Sequence, residues 1–128
     1  MLDDKNLLAQ RDPGSTRTSA VAVTTQTDFA AKVESPATPG EVANVVLAGM
    51  GGSALAADMV KVLTADQVTV PLEVVKGYQL PHFVNEKTLV VAISHSGNTE
   101  ETISCYQQAR EHGCQLAVMA TGGKLFAA

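Results

Sequence analysis

Leu89-Val90-Val91-Ala92-Ile93-Ser94-His95-Ser96-Gly97-Asn98-Thr99-Glu100-Glu101 decides how the rest of this chain is read. Five consecutive apolar residues fit a short strand buried in a parallel sheet. A glycine, an amide and three hydroxyls then follow before a helical pattern resumes. Asn98 with Glu101 three positions later has the spacing of a capping box, which predicts a helix starting at Asn98. Ile103, Tyr106 and Ala109 give that helix an apolar face, and Gly113 suits its end. A helix N-terminus presents unpaired N–H groups and partial positive charge. Hydroxyls beside it add donors without bulk, so the Ser94–Thr99 loop is read as an anion site, above all for phosphate.

The same grammar extends in both directions. Gln115-Leu116-Ala117-Val118-Met119-Ala120 is predicted as a strand, followed by the loop Thr121-Gly122-Gly123-Lys124 and the first turn of another helix from Leu125 to Ala128. Upstream, Asn44-Val45-Val46-Leu47-Ala48 is a strand closed by Gly49-Met50-Gly51-Gly52-Ser53. Leu55, Met59, Val62 and Leu63 mark the apolar stripe of the helix after it. Leu72-Glu73-Val74-Val75 and Thr88–Ile93 are two further strands. Strands alternating with amphipathic helices predict an α/β fold, three-layer α/β/α around a parallel sheet in flavodoxin-like order. Ligands of such sheets lie off the carboxyl ends of the strands, where the Gly49–Ser53 and Ser94–Thr99 loops both emerge. Residues 1–40 read differently. A short helix around Leu2, Leu7 and Leu8, acidic at its start, is broken by Pro13-Gly14-Ser15-Thr16. The stretch from about Ser19 to Val33 is read as helix, and Pro36 to Gly40 as a loop.

Composition removes several classes of function. The chain has 128 residues, 45% hydrophobic and 17% charged, which fits one packed domain rather than a disordered segment. A net charge of −4 and 4% aromatic residues argue against a nucleic-acid surface, which needs basic stripes and stacking rings. No apolar run approaches the ~20 residues of a membrane span. The acidic start Met1-Leu2-Asp3-Asp4 is unlike a signal peptide, so a cytoplasmic protein is expected. Cys105 and Cys114 fit no metal or redox spacing and are read as reduced thiols. His82, His95 and His112 are scattered, so no metal site is expected.

Gly49-Met50-Gly51-Gly52-Ser53-Ala54 also satisfies GxGxxA after a strand, the dinucleotide fingerprint. That reading wants an acidic residue at the end of the next strand, about 20 positions on. Glu73 has the count but comes early in its strand. A tight glycine turn for strand–helix packing remains open beside it. The P-loop reading fails for want of Gly-Lys-Ser/Thr. His95 lacks an evident carboxylate to orient it, and a positioning or solvated role is expected. Glu100 and Glu101 suit a helix first turn and are read as structural. Lys124 reads as an exposed lysine.

These residues resemble a known family. Ser94-x-Ser96-Gly97-x-Thr99-x-Glu101 is similar to the signature of SIS (sugar isomerase) domains, and Gly49-x-Gly51-x-Ser53 to their first-strand loop. Together with Ala120-Thr121-Gly122-Gly123-Lys124-Leu125, they are similar to the bifunctional phosphoglucose/phosphomannose isomerases within it. The resemblance covers Asn44 to Ala128 and implies a five-stranded parallel sheet, of which this chain holds four strands. It implies residues 41–128 as a first SIS domain, cut before its last strand, behind the helical segment 1–40. Phosphate binding carries over to Ser94, Ser96 and Thr99, with Gly52 and Ser53 on the sugar side. The implied chemistry interconverts glucose 6-phosphate or mannose 6-phosphate with fructose 6-phosphate. Its base, histidine and lysine belong to later sequence, so no catalytic residue and no cofactor is assigned, and a homodimer is implied for the longer protein. A non-catalytic SIS sugar-phosphate sensor and a dinucleotide-binding domain of a dehydrogenase are the alternatives.

Overall fold

A computed structural model of the protein describes residues 4–28 and 40–127. The chain divides into two units, residues 1–36 and 37–128. In the first, helix α1 (Lys5–Arg11) starts on Asp4, whose carboxylate accepts the backbone N–H groups of Asn6 and Leu7 at 3.0 and 3.1 Å. This is the acidic start foreseen for it; Leu2 lies outside the described residues. Helix α2 (Thr16–Ala22) begins three residues earlier than expected and runs into a 3-10 stretch, Val23–Asp28. Its start is organised by Asp12, which accepts the N–H groups of Thr16 and Arg17 at 2.8 Å each. Those bonds hold the Asp12 carboxyl below its ordinary range. The expected continuation to Val33, and most of the loop from Pro36, fall outside the described residues.

The second unit is a four-stranded parallel sheet: β1 (Asn44–Gly49), β2 (Leu72–Val75), β3 (Thr88–Ser94) and β4 (Gln115–Ala120), in the order β2-β1-β3-β4. Helix α3 (Gly51–Leu63) joins β1 to β2 and α4 (Glu100–Glu111) joins β3 to β4. These two crossovers run in opposite directions across the sheet, so right-handed connections put the helices on opposite faces. The three-layer α/β/α arrangement is thereby formed. A short helix, α5 (Gly123–Phe126), follows β4.

The core lies beneath α4. Val46, Ala48 and Val90 of the sheet meet Cys105 and Ala109 of α4, and Leu80 and Val84 of the helix-free β2–β3 connection. Ala92 packs with Tyr106 and Leu125 beside them. The expected apolar residue Ile103 joins this cluster half-buried, and Gly113 ends α4 at φ 68°, as a glycine can. Burial alternates along β3, with Val90 and Ala92 fully covered and Val91 and Ile93 only half-buried. Its α4 face is therefore the more completely covered one.

Two local expectations are corrected. Leu55, Met59, Val62 and Leu63 do not form the inward stripe of α3; they are 57–75% exposed. Ala54 and Ala57 face the sheet instead. Asp58 and Lys61, one turn further along, reach the β2 side and pair with Lys76 and Glu73. Small residues allow close approach, and the two exposed ion pairs are compatible with this orientation. Nor does Asn98 cap α4: the N-cap is Thr99, and the Asn98 side chain is engaged elsewhere.

Two stability predictions follow from this packing. Val90→Ala, in the fully covered centre of the sheet, should lower unfolding free energy by about 2 kcal/mol in urea titration. Leu55→Ala should change it by less than about 0.5 kcal/mol. The buried Cys105 thiol donates to the Gly77 carbonyl at 3.3 Å, and burial pushes its pKa to about 11. The unfolded thiol ionises first, near the ordinary value of ~8.5. Stability should therefore be fully present below that pH and fall as pH rises toward 11, and Cys105→Ala should flatten that fall.

Candidate functional site

Parallel pairing brings the strand ends together. Gly49 is in register with Ile93, and Ser94 with Ala120, so the loops after β1, β3 and β4 leave one edge side by side. Between them lies an open cleft of about 850 Å³. Gly52 and Ser53 of the first turn of α3 line one side, with His95, Ser96 and Thr99 before α4 and Thr121 after β4. Met50, Ala56, Ile93, Val118, Met119 and Ala120 form its apolar wall. Four of the five residues predicted for the site, Gly52, Ser53, Ser96 and Thr99, thus face one space.

Ser94 sits differently. It is 2% exposed, and its hydroxyl lies 2.9 Å from the Thr99 hydroxyl while accepting the Gly97 N–H at 3.1 Å. Its place is beneath the cleft, joined to it through Thr99. Above it, the Ser96 hydroxyl accepts the Asn98 N–H at 3.2 Å. Neither Met50 nor Thr99, the N-caps of α3 and α4, makes a side-chain capping bond. Two helix starts therefore open on the cleft without caps of their own, which is the disposition that suits an anion.

The loop before α4 is locked against the loop after β4. Thr121 N–H donates to the His95 carbonyl at 3.1 Å and Leu125 N–H to the Gly97 carbonyl at 3.0 Å. The Asn98 amide donates to the Ser96 carbonyl, and its oxygen accepts the Lys124 N–H at 3.2 Å. Gly97 and Gly123 both adopt positive φ, 65° and 70°. A methyl group on Gly97 would collide with the Gly122 carbonyl, and one on Gly123 with the Ser96 carbonyl and the Asn98 amide. Asn98 is thus a clamp between two loops.

Among the described residues no lysine, arginine, aspartate or glutamate lines the cleft, and His95 is the one lining side chain that can carry a charge. Glu100 and Glu101 lie instead beside Tyr78, whose hydroxyl pKa they raise, chiefly through the charge of Glu101. Among the described residues no cluster of histidine, cysteine and carboxylate is placed to hold a metal ion. Glu73, the residue a bound ribose would require, is paired with Lys61 at 2.9 Å. The apolar wall did not figure in the expected site, and Thr121 figured only as part of the third loop at this edge. Their signal was positional: Thr121 follows β4 as His95 follows β3.

The sequence and the fold of this unit match known proteins. The SIS domain matches residues 41–124. The chain belongs to the SIS domain family. It is 45% identical over 85 residues to a bifunctional phosphoglucose/phosphomannose isomerase of Caldicellulosiruptor bescii, covering 66% of this chain and 25% of that protein. A protein of the same name from Thermoplasma acidophilum is 37% identical over 86 residues, covering 67% and 27%. The SIS chain thus spans about a quarter of the length of these curated relatives. Its fold matches tagatose-6-phosphate ketose/aldose isomerase from Escherichia coli with a TM-score of 0.56 at 19% identity, over 68% of this chain and 26% of that one. No helix among the described residues is long and apolar enough to cross a membrane.

Gly97→Ala should prevent the two loops from meeting. Destabilisation of more than about 2 kcal/mol is expected, from backbone collision added to a left-handed conformation. Gly52→Ala, which meets open space, serves as the control and should cost less than about 1 kcal/mol. Equal melting temperatures for the two variants would show that the loops are not interlocked.

Proposed function

We propose that this SIS chain is the phosphate-holding part of a sugar-phosphate aldose–ketose isomerase acting on glucose 6-phosphate or mannose 6-phosphate and fructose 6-phosphate. The observation that carries the reading is the convergence of two uncapped helix starts with the Ser53, Ser96 and Thr99 hydroxyls on one cleft. Backbone N–H groups and hydroxyls surround a phosphate with donors and need no lysine to do so. Similarity to isomerases of this specificity supports the sugar and the reaction.

On this reading Ser96 and Thr99 donate to the phosphate, and Ser94 orients Thr99 from below. Gly52 leaves room for the ligand, and Ser53 lies toward the sugar. Moving a proton between C1 and C2 of an open-chain sugar needs a base beside those carbons. Among the described residues no carboxylate lines this cleft, and on this reading the base and its partners are supplied from elsewhere in a longer protein. The relatives have room for them in the three-quarters of their length that this chain does not match. A homodimer of the longer protein, located in the cytoplasm, completes the proposal. The dehydrogenase alternative is disfavoured by the Lys61–Glu73 pair, which occupies the carboxylate a dinucleotide would use.

Three measurements test the proposal. Fructose 6-phosphate at a hundred times its dissociation constant should stabilise the chain by about 2.7 kcal/mol through linkage. NAD should not, and stabilisation by NAD alone would reverse the assignment. Ser96→Ala should weaken fructose 6-phosphate binding by roughly tenfold or more, the loss of a hydrogen bond to a charged group of ~1.5–3 kcal/mol; an unchanged affinity would reduce Ser96 to a turn residue. The chain by itself should give no glucose 6-phosphate isomerisation in a coupled assay. Turnover proportional to its concentration would mean that a base was overlooked.

A further inference from the structure

Helix α3 is built inside out. Its small residues Ala54 and Ala57 meet the sheet, while its largest side chains lie on the side turned away from them. Leu55, Met59, Val62 and Leu63 recur at helical spacings of four and three and are each more than half exposed. With a rise of ~1.5 Å per residue they form a continuous stripe about 12 Å long. Single exposed apolar residues are ordinary on a protein surface, but four of them joined on one helix face mark a contact surface. The stripe lies apart from the cleft, whose lining takes Gly52, Ser53 and Ala56 from this helix and none of these four residues.

Three properties of the stripe fit a second copy of this chain. The first is charge. The two charged residues of α3, Asp58 and Lys61, are already paired with Lys76 and Glu73, so a like surface brought against the stripe opposes no unpaired charge of α3. The second is symmetry. A two-fold contact sets a surface against itself, and Leu55, Met59 and Leu63 read the same in either direction about Met59. In an antiparallel pair with Met59 on the axis, Leu55 lies level with the partner's Leu63, and the two flexible methionine side chains fill the centre. The third is area. The exposed surface of the four residues is on the order of 500 Å² per copy, so two copies would bury on the order of 1,000 Å², the lower bound of a specific interface. We propose that α3 is a dimerisation surface of this chain, two copies pairing antiparallel about Met59. So small an interface makes a weak dimer that forms only at high protein concentration. Its formation is independent of the sugar-phosphate reading of the cleft.

The test is sedimentation equilibrium of the 128-residue chain from ~1 μM to ~1 mM. The average mass should rise from one chain to two and stop there. Met59→Glu sets two carboxylates against each other at the axis and should weaken dimerisation by roughly tenfold or more, whereas Met59→Leu should preserve it. Because Met59 is exposed, the melting temperature of the dilute Met59→Glu chain should match that of wild type. Leu55→Glu and Leu63→Lys should each weaken the dimer, and the chain carrying both should recover it, since opposite charges then meet across the axis. A monomer at every concentration would overturn the proposal. If the dilute Leu55→Glu chain then also melted earlier than wild type, the occupant of the stripe would be another segment of the same chain. A dimer untouched by Met59→Glu would place the contact on a different surface, and failure of the double variant to recover would refute the antiparallel pairing.

Discussion

The cleft depends on a close approach between two stretches of backbone. Residues 96–98 and 121–125 meet backbone to backbone at Gly97 and Gly123, which supply both the left-handed conformation and the missing Cβ. Hydrogen bonds from Thr121, Lys124 and Leu125 then tie the second loop to the first. The phosphate loop is thereby stiffened from outside its own sequence. A hydroxyl cradle works only if its donors are already in place, since each side chain that must be ordered on binding reduces the affinity. Asn98 shows the economy of the arrangement: a residue suited to a helix cap instead bridges both loops and leaves the helix start uncapped.

What could be read from the sequence follows the range of the physics involved. The strands were legible to within a residue, because four short apolar runs bounded by polar turns carry their own signal. Loops meeting at one edge followed from parallel connectivity, Ser96 and Thr99 from hydroxyls placed before a helix, and Gly52 and Ser53 from the family resemblance. The errors lie where distant partners decide. The spacing of Leu55, Met59, Val62 and Leu63 describes a stripe without saying which stripe meets the sheet. In the structure Ala54 and Ala57 meet the sheet, and Asp58 and Lys61 pair with side chains on the β2 side. The Asn98–Glu101 spacing was a sound local cap displaced by a stronger claim from Lys124 across the loop. Thr121 gains its meaning only when β4 lies beside β3.

Helix α4 has a second task, because the connection from β2 to β3 contains no helix of its own. That connection is held by its backbone: the Tyr78 carbonyl accepts from Ser104 and Gln108, and Leu80 N–H donates to the Gln108 amide oxygen. Leu80 and Val84 then complete the core that α4 covers. The same helix therefore organises the site with its first turn and secures the strand crossover with its middle. A change at Gln108 would be felt through the crossover, although that residue lies outside the cleft lining.

Among the described residues no lysine or arginine lines the cleft, and this sets how an anion would reach it. The chain carries a net charge of −4, so at long range a dianionic ligand meets weak repulsion instead of a guiding field. Attraction begins only at contact distance, where helix-end dipoles and hydroxyls act. Association would then proceed without electrostatic steering. Rising ionic strength would slow it little or even quicken it, as screening removes the repulsion before it touches the cradle.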